Sequence, residues 1–133
     1  MNIELASKLV AAAMAKAKAD FARPICVAVS DRFGFLVAFA AMDGAPVRSI
    51  QIAQGKAYSA ARMGVDTHVF LERLHRDNIP AGYFCDEKLT GLPGGSVIKD
   101  AGGALIGAVG ISGLASAEDM AIAKALVELA QEA

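Results

Sequence analysis

The sequence predicts an α+β domain, an antiparallel β-sheet of about five strands flanked by α-helices. Three observations predict it. Two pairs of short β-rich runs, "ICVAVSD" with "FLVAFAA" and "SVIKD" with "ALIGAVGIS", are each joined by a glycine-bearing turn, as in hairpins. Longer segments with apolar residues at helical spacing lie before, between and after them. The first two runs are almost wholly apolar, so helices must cover the sheet on both faces over much of its area.

The elements follow in order. Asn2 is placed to cap a helix whose stripe is Ile3, Ala6, Val10, Ala13 and Ala17, widened by Leu5 and Leu9, with Pro24 marking its end. Arg32, Phe33 and Gly34 make the turn of the first hairpin. After the turn "MDGAP", residues 47–63 read as a helix of small residues, with Ile50, Ala53, Ala57, Ala60 and Ala61 near one side, and Gly64 stops it. Asp66 or Thr67 starts a third helix, "HVFLERLHR", which Asn78 and Pro80 end. The glycine-bearing stretch 81–95 has no periodicity and reads as a functional loop or as the home of a short irregular fifth strand. In the last strand Gly107 and Gly110 imply that something packs closely on it. Ser116, with Asp119 three residues on, resembles a capping box that opens a final amphipathic helix to about Glu132.

The totals exclude several function classes. A chain of 133 residues suits one domain over 1–133. Lys plus Arg is 13 and Asp plus Glu 14, a net charge of -1, so no electrostatic footprint for nucleic acid is present. No apolar run reaches the roughly 18 residues of a membrane span. Glu4, Lys8, Lys16 and Lys18 break up the N-terminal segment, which reads as a structural helix rather than a leader. Cys26 and Cys85 match no zinc or C-x-x-C spacing, and a reduced, cytoplasmic location is expected. The hydrophobic fraction of 55% exceeds the usual globular share, which points to association with copies of itself.

Two stretches carry a family signature, "VSDRFGFLVAFAAMDGAPVRSIQIAQGKAYSAARMG" and "LPGGSVIKDAGGALIGAVGISG". The pattern is a hairpin, MDGA, a helix with Ser and Lys-Ala, PGG, a second hairpin with a glycine turn, and a G-A-x-G-x-S-G strand. It resembles the GlcG/HbpS family of small haem-binding and haem-degrading-type proteins, related to the PduO C-terminal domain. The resemblance covers nearly the whole chain and implies a profilin-like sheet, homo-oligomers and haem as a cofactor. It also has departures. Ala41 stands where an arginine commonly precedes MDGA, Ser96 and Val97 follow PGG in place of a proline-containing run, and no histidine occurs before His68, although the PduO-type haem ligand is a histidine of the first helix.

The candidate residues centre on Lys56. Ser49, Lys56, Ala60 and Met63 share a strip beside the apolar side of their helix, so Lys56 either snorkels at the edge of the core or faces a small-residue cavity. In a cavity its ammonium, with Ser49 near it, would receive a carboxylate or carbonyl, and desolvation would lower its pKa. Gly94 and Gly95, ahead of Ser96, form a plain turn or a nest of free amides that binds an anion with Lys56. Asp43 borders the same helix as an acid/base candidate, with its own backbone turn as the alternative role. His68, Glu72 and His75 share a helical face; His68 and His75 are weak metal or haem-ligand candidates on what otherwise reads as a solvated face. Cys85 lacks an identifiable base.

These features support a small-molecule-binding protein taking haem or a small carboxylate-bearing ligand near residues 42–58 and 93–96. The alternative is an enzyme, an isomerase, tautomerase, lyase or hydrolase of a small organic acid, with Lys56, Asp43 and Ser49 in catalytic roles. A purely structural assembly role has only the apolar surface to support it.

Overall fold

A computed structural model describes residues 1–132. Helices α1 (Ile3–Lys16), α2 (Ser49–Met63), α3 (Thr67–Asp77) and α4 (Ser116–Glu132) surround strands β1 (Cys26–Asp31), β2 (Leu36–Ala41), β3 (Gly95–Lys99) and β4 (Leu105–Ser112). The strands form one antiparallel sheet in the order β2-β1-β4-β3, so the two hairpins join through the central pair. The α+β class expected from the sequence is the fold observed.

The sheet has four strands, not about five. The stretch ahead of Gly95 forms no strand because side chains take its backbone donors. Asp86 accepts from the Lys88 N–H at 3.1 Å, Ser59 Oγ from the Thr90 N–H at 2.8 Å and Thr90 Oγ1 from the Leu92 N–H at 3.2 Å. Ala81–Phe84 makes a 3-10 turn, and Cys85 ends it in the left-handed region.

Helix boundaries follow local chemistry. Asn2 caps α1 as expected, its Oδ1 accepting from the Leu5 N–H at 2.8 Å. The helix then widens into a π turn at Ala17–Phe21 and stops at Ala22, whose φ is 52. At α4 the Ser116/Asp119 capping box is replaced by a different pair. Glu118 accepts from the Ala115 N–H at 3.0 Å and Asp119 Oδ1 from the Leu114 N–H at 3.1 Å, so Asp119 holds the approach loop and not a Ser116-capped turn.

The strand period of two divides the sheet into unlike faces. Val27, Val29, Val109 and Ile111 point toward α1 and α4, where Leu9, Ile25, Ile122 and Leu126 complete the larger core. Cys26, Ala28 and Ala108 point toward α2, which meets them with Ala53, Ala57, Ala60 and Ala61. Gly110 explains the short distance between α2 and the sheet: a Cβ there would run into the Ala53 carbonyl and lie 2.6 Å from the Ala57 nitrogen. The β2 edge of the sheet is open. At the β3 edge Asp66 accepts from the Val97 N–H at 2.9 Å.

Candidate functional site

The small-residue face of the sheet carries most of the buried polar groups, with Ser96 and Asp119 buried on the side of α4. Lys56 is 3% exposed, so it is not a solvated lysine, and its position follows from two glycines. Gly95 lies under the Lys56 backbone, where a Cβ would be 2.5 Å from the Lys56 carbonyl oxygen. Gly94, with φ +117, would place a Cβ 3.0 Å from Lys56 Nζ. The missing side chains leave a passage past the end of the sheet. Through it the ammonium donates to the Ile111 carbonyl at 2.7 Å and to Asp119 Oδ2 at 3.1 Å.

Asp119 belongs to α4, so the ion pair joins the helical layers on the two faces of the sheet, and both side chains are only 4% exposed. Burial pushes the Lys56 pKa down from 10.5, and the Asp119 charge only partly opposes this. Burial likewise pushes the Asp119 pKa up from 3.8 against the opposing effect of Lys56. Each group is thus driven toward its neutral form by more than its partner holds it charged.

The pair forms one wall of a cavity of about 160 Å³, also lined by Arg48, Ser49, Leu92, Ser112 and Ser116. Ser112 Oγ donates to Ser49 Oγ at 3.0 Å, a buried hydroxyl pair between β4 and α2. An ammonium has three N–H bonds, and two on Lys56 are engaged, so one has no acceptor among the described residues.

Of the residues expected from the sequence, Lys56, Ser49 and the Gly94 backbone come together. Asp43 does not join them; it is exposed in its turn and lies outside the cavity lining. The Gly95 amide donates to Thr67 Oγ1 at 2.9 Å, which removes it from any anion nest. Ser96 and His68 line a separate cavity of about 540 Å³, and His75 is exposed outside it. Among the described residues no three His, Cys, Asp or Glu side chains converge as a metal site. Sequence reasoning missed Asp119 as the partner of Lys56, and Ser112. The serine of the G-A-x-G-x-S-G strand was the available signal, since strand period places Ser112 on the same face as Gly110.

A third cavity, about 490 Å³, lies between the first hairpin, α2 and the 87–88 loop. At its wall Tyr58 donates to Asp86 at 2.6 Å, and the Arg62 guanidinium sits 4.8 Å from the Tyr58 ring centre. The Tyr58–Asp86 hydrogen bond raises the phenol pKa and lowers that of the carboxyl.

The chain matches the family described as "Haem degrading protein HbpS-like" over residues 1–128. Among solved structures it is similar to Klebsiella pneumoniae protein ORFY, with TM-score 0.88 and 25% identity, over 98% of this chain and 90% of that one. A double mutant of Streptomyces reticuli HbpS aligns with TM-score 0.86 and 28% identity, over 97% of this chain and 86% of the other. A PduOC:heme complex aligns with TM-score 0.85 and 26% identity, over 96% and 93%. No curated protein is significantly similar in sequence.

Proposed function

The chain belongs to the HbpS-like family, and on that premise we propose that it is a small-ligand-binding protein whose Lys56 cavity takes a small carboxylate-bearing organic molecule. One observation carries the reading: a buried ammonium with an uncommitted N–H faces a cavity whose other polar lining is Arg48, Ser49, Ser112, Ser116 and Asp119, the carboxylate already paired with that ammonium. A carboxylate accepts from such donors, and burial strengthens the charge-assisted bond. The size restricts the ligand. About 160 Å³ lies below the ~300–1,000 Å³ typical of cofactor-sized sites, so a molecule of a few carbons fits and a tetrapyrrole does not.

The test is an amide-shift NMR titration with acetate, glycolate and succinate. Wild type should show saturable shifts at Gly94, Ser112 and Ser116 with at least one of the acids, and Lys56→Met should weaken that binding at least tenfold while its fold is checked by circular dichroism. Unchanged affinity in a folded Lys56→Met protein sinks the assignment.

A second reading, enzymatic conversion of a small organic acid, is favoured by the lowered Lys56 pKa, which moves an amine toward the range of a general base. Asp119, not Asp43, would then share its proton. Haem enters as a further ligand because relatives are described by it, and it needs a larger cavity and donors outside α1. Self-association is supported by the exposed Phe33, Phe35 and Leu36 beside the open β2 edge. The two free cysteines agree with a cytoplasmic location.

A further inference from the structure

The polar lining of the Lys56 cavity divides into a floor and a rim. Lys56, Ser49, Ser112 and Asp119 are buried and make the floor, whereas Arg48 and Ser116 are exposed at the rim. At the floor the charges cancel. Asp119 Oδ2 accepts from the Lys56 ammonium at 3.1 Å and its Oδ1 from the Leu114 N–H at 3.1 Å, so both carboxylate oxygens are engaged. Among the described residues Arg48 pairs with no carboxylate. An entering carboxylate therefore meets an unpaired cation at the rim, whereas at the floor it would face the charge of Asp119. The floor suits a neutral acceptor.

The hydroxyl pair supplies a donor for such a group. Ser49 Oγ accepts from Ser112 Oγ at 3.0 Å, and among the described residues no acceptor takes the O–H of Ser49 itself. Lys56 likewise keeps one N–H without an acceptor. Burial drives the amine toward its neutral form, and Asp119, pushed up by its own burial, lies 3.1 Å away to take the proton. A neutral lysine amine held out of water is a nucleophile toward carbonyl carbon.

We propose that the cavity takes a small 2-oxo acid, its carboxylate on Arg48 and its carbonyl at Lys56, and that Lys56 forms an imine with it. The assignment rests on the carboxylate reading above and narrows the ligand. The ammonium first gives a proton to Asp119. The Nζ lone pair then forms the C–N bond while the carbonyl π pair moves to oxygen, which accepts from the Ser49 O–H, and a proton passes from nitrogen to that oxygen. Asp119 returns its proton to the resulting hydroxyl, the C–O bond breaks and water leaves. A protonated imine then stands beside the Asp119 carboxylate, the same pairing of charges as before. One water is released, and nothing is oxidised or reduced.

The full chain would be incubated with pyruvate and sodium cyanoborohydride, and its lysines followed by peptide mass mapping. Reduction turns the imine into a stable N-(1-carboxyethyl)lysine. Lys56, although buried, should be labelled at least tenfold faster than the exposed Lys99 and Lys124. Excess lactate, which has the carboxylate without the carbonyl, should slow labelling at Lys56 alone. Arg48→Ala should slow Lys56 at least fivefold and leave Lys99 and Lys124 unchanged. Labelling of Lys56 no faster than of the exposed lysines, with saturable amide shifts of Ser112 and Ser116 on adding pyruvate, overturns the imine while the carboxylate reading stands. Absence of both the selective labelling and the shifts removes the two together. Selective labelling that Arg48→Ala leaves unchanged overturns the placement of the carboxylate on Arg48.

Discussion

The two faces of the sheet are built on opposite plans. Against α1 and α4 the strands present Val27, Val29, Val109 and Ile111, and the helices answer with Leu9, Ile122 and Leu126, all buried. Against α2 they present Cys26, Ala28, Ala108 and Gly110, and the helix answers with alanines. Most of the buried polar residues follow the small ones: Ser30, Ser49, Lys56, Ser59, Thr67 and Ser112 are all buried on the α2 and α3 side, against Ser96 and Asp119 on the other. Large apolar side chains remove more surface from water, whereas small ones let backbone and polar groups approach. One face holds the fold together, and the other leaves the cavity in which the proposed ligand would sit.

The comparison breaks most sharply where the faces are tied together. Asp119→Ala would strand the Lys56 ammonium in a buried site, at a cost of about 3–5 kcal/mol in urea unfolding. The double change Lys56→Met with Asp119→Leu removes both charges and should recover most of that loss, since an apolar replacement of a buried pair is often neutral or stabilising. If the double variant is as unstable as the single one, the pair contributes through geometry that apolar packing does not replace.

A matched pair of substitutions sharpens the contrast. Leu126→Ala leaves a cavity in the large-residue core and should cost about 3 kcal/mol. Gly110→Ala adds one methyl on the other face and must push α2 off the Ala53 carbonyl, at about 1–3 kcal/mol. The Gly110→Ala protein should also lose carboxylate binding at the Lys56 cavity, because α2 carries both Ser49 and Lys56. A Gly110→Ala protein of wild-type stability would mean that α2 does not rest on the strand.

The smallest expected effect is in the pH profile. The folded pKa of Asp119 is raised, so its contribution is full below 3.8 and is lost as pH rises through the folded value. That of Lys56 is lowered, so its contribution is full above 10.5 and is lost as pH falls through the folded value. Wild-type stability relative to the Lys56→Met, Asp119→Leu protein should therefore be lowest between these windows and rise toward both. A flat difference across pH 3–11 would show that each charge fully offsets the burial of the other.

Much of this architecture was legible because it is local. Both hairpins, the Gly34 turn, the Asn2 cap and the helices beginning near residues 49 and 67 follow from periods of two and 3.6 and from turn chemistry. The expected fifth strand fails for a reason that periodicity does not carry: Ser59, Asp86 and Thr90 take the backbone donors a strand would have used. At the site, the sequence placed Lys56 beside the apolar strip and Ser49 near it, which the cavity lining retains.

By itself, then, the sequence determined the elements, the small-residue character of α2 and the candidacy of Lys56. Tertiary structure alone decided that the lysine's partner is Asp119, 63 residues away, and that Asp43, only 13 residues from Lys56, stays outside. It also decided that Gly95 gives its amide to Thr67 and that His68 opens onto a cavity while His75 does not. The physical reason is the range of the forces involved. Backbone propensity and capping act within a turn or two, but the burial of a charge is set by which layers cross the sheet, and Gly94 lets Lys56 and Asp119 meet there.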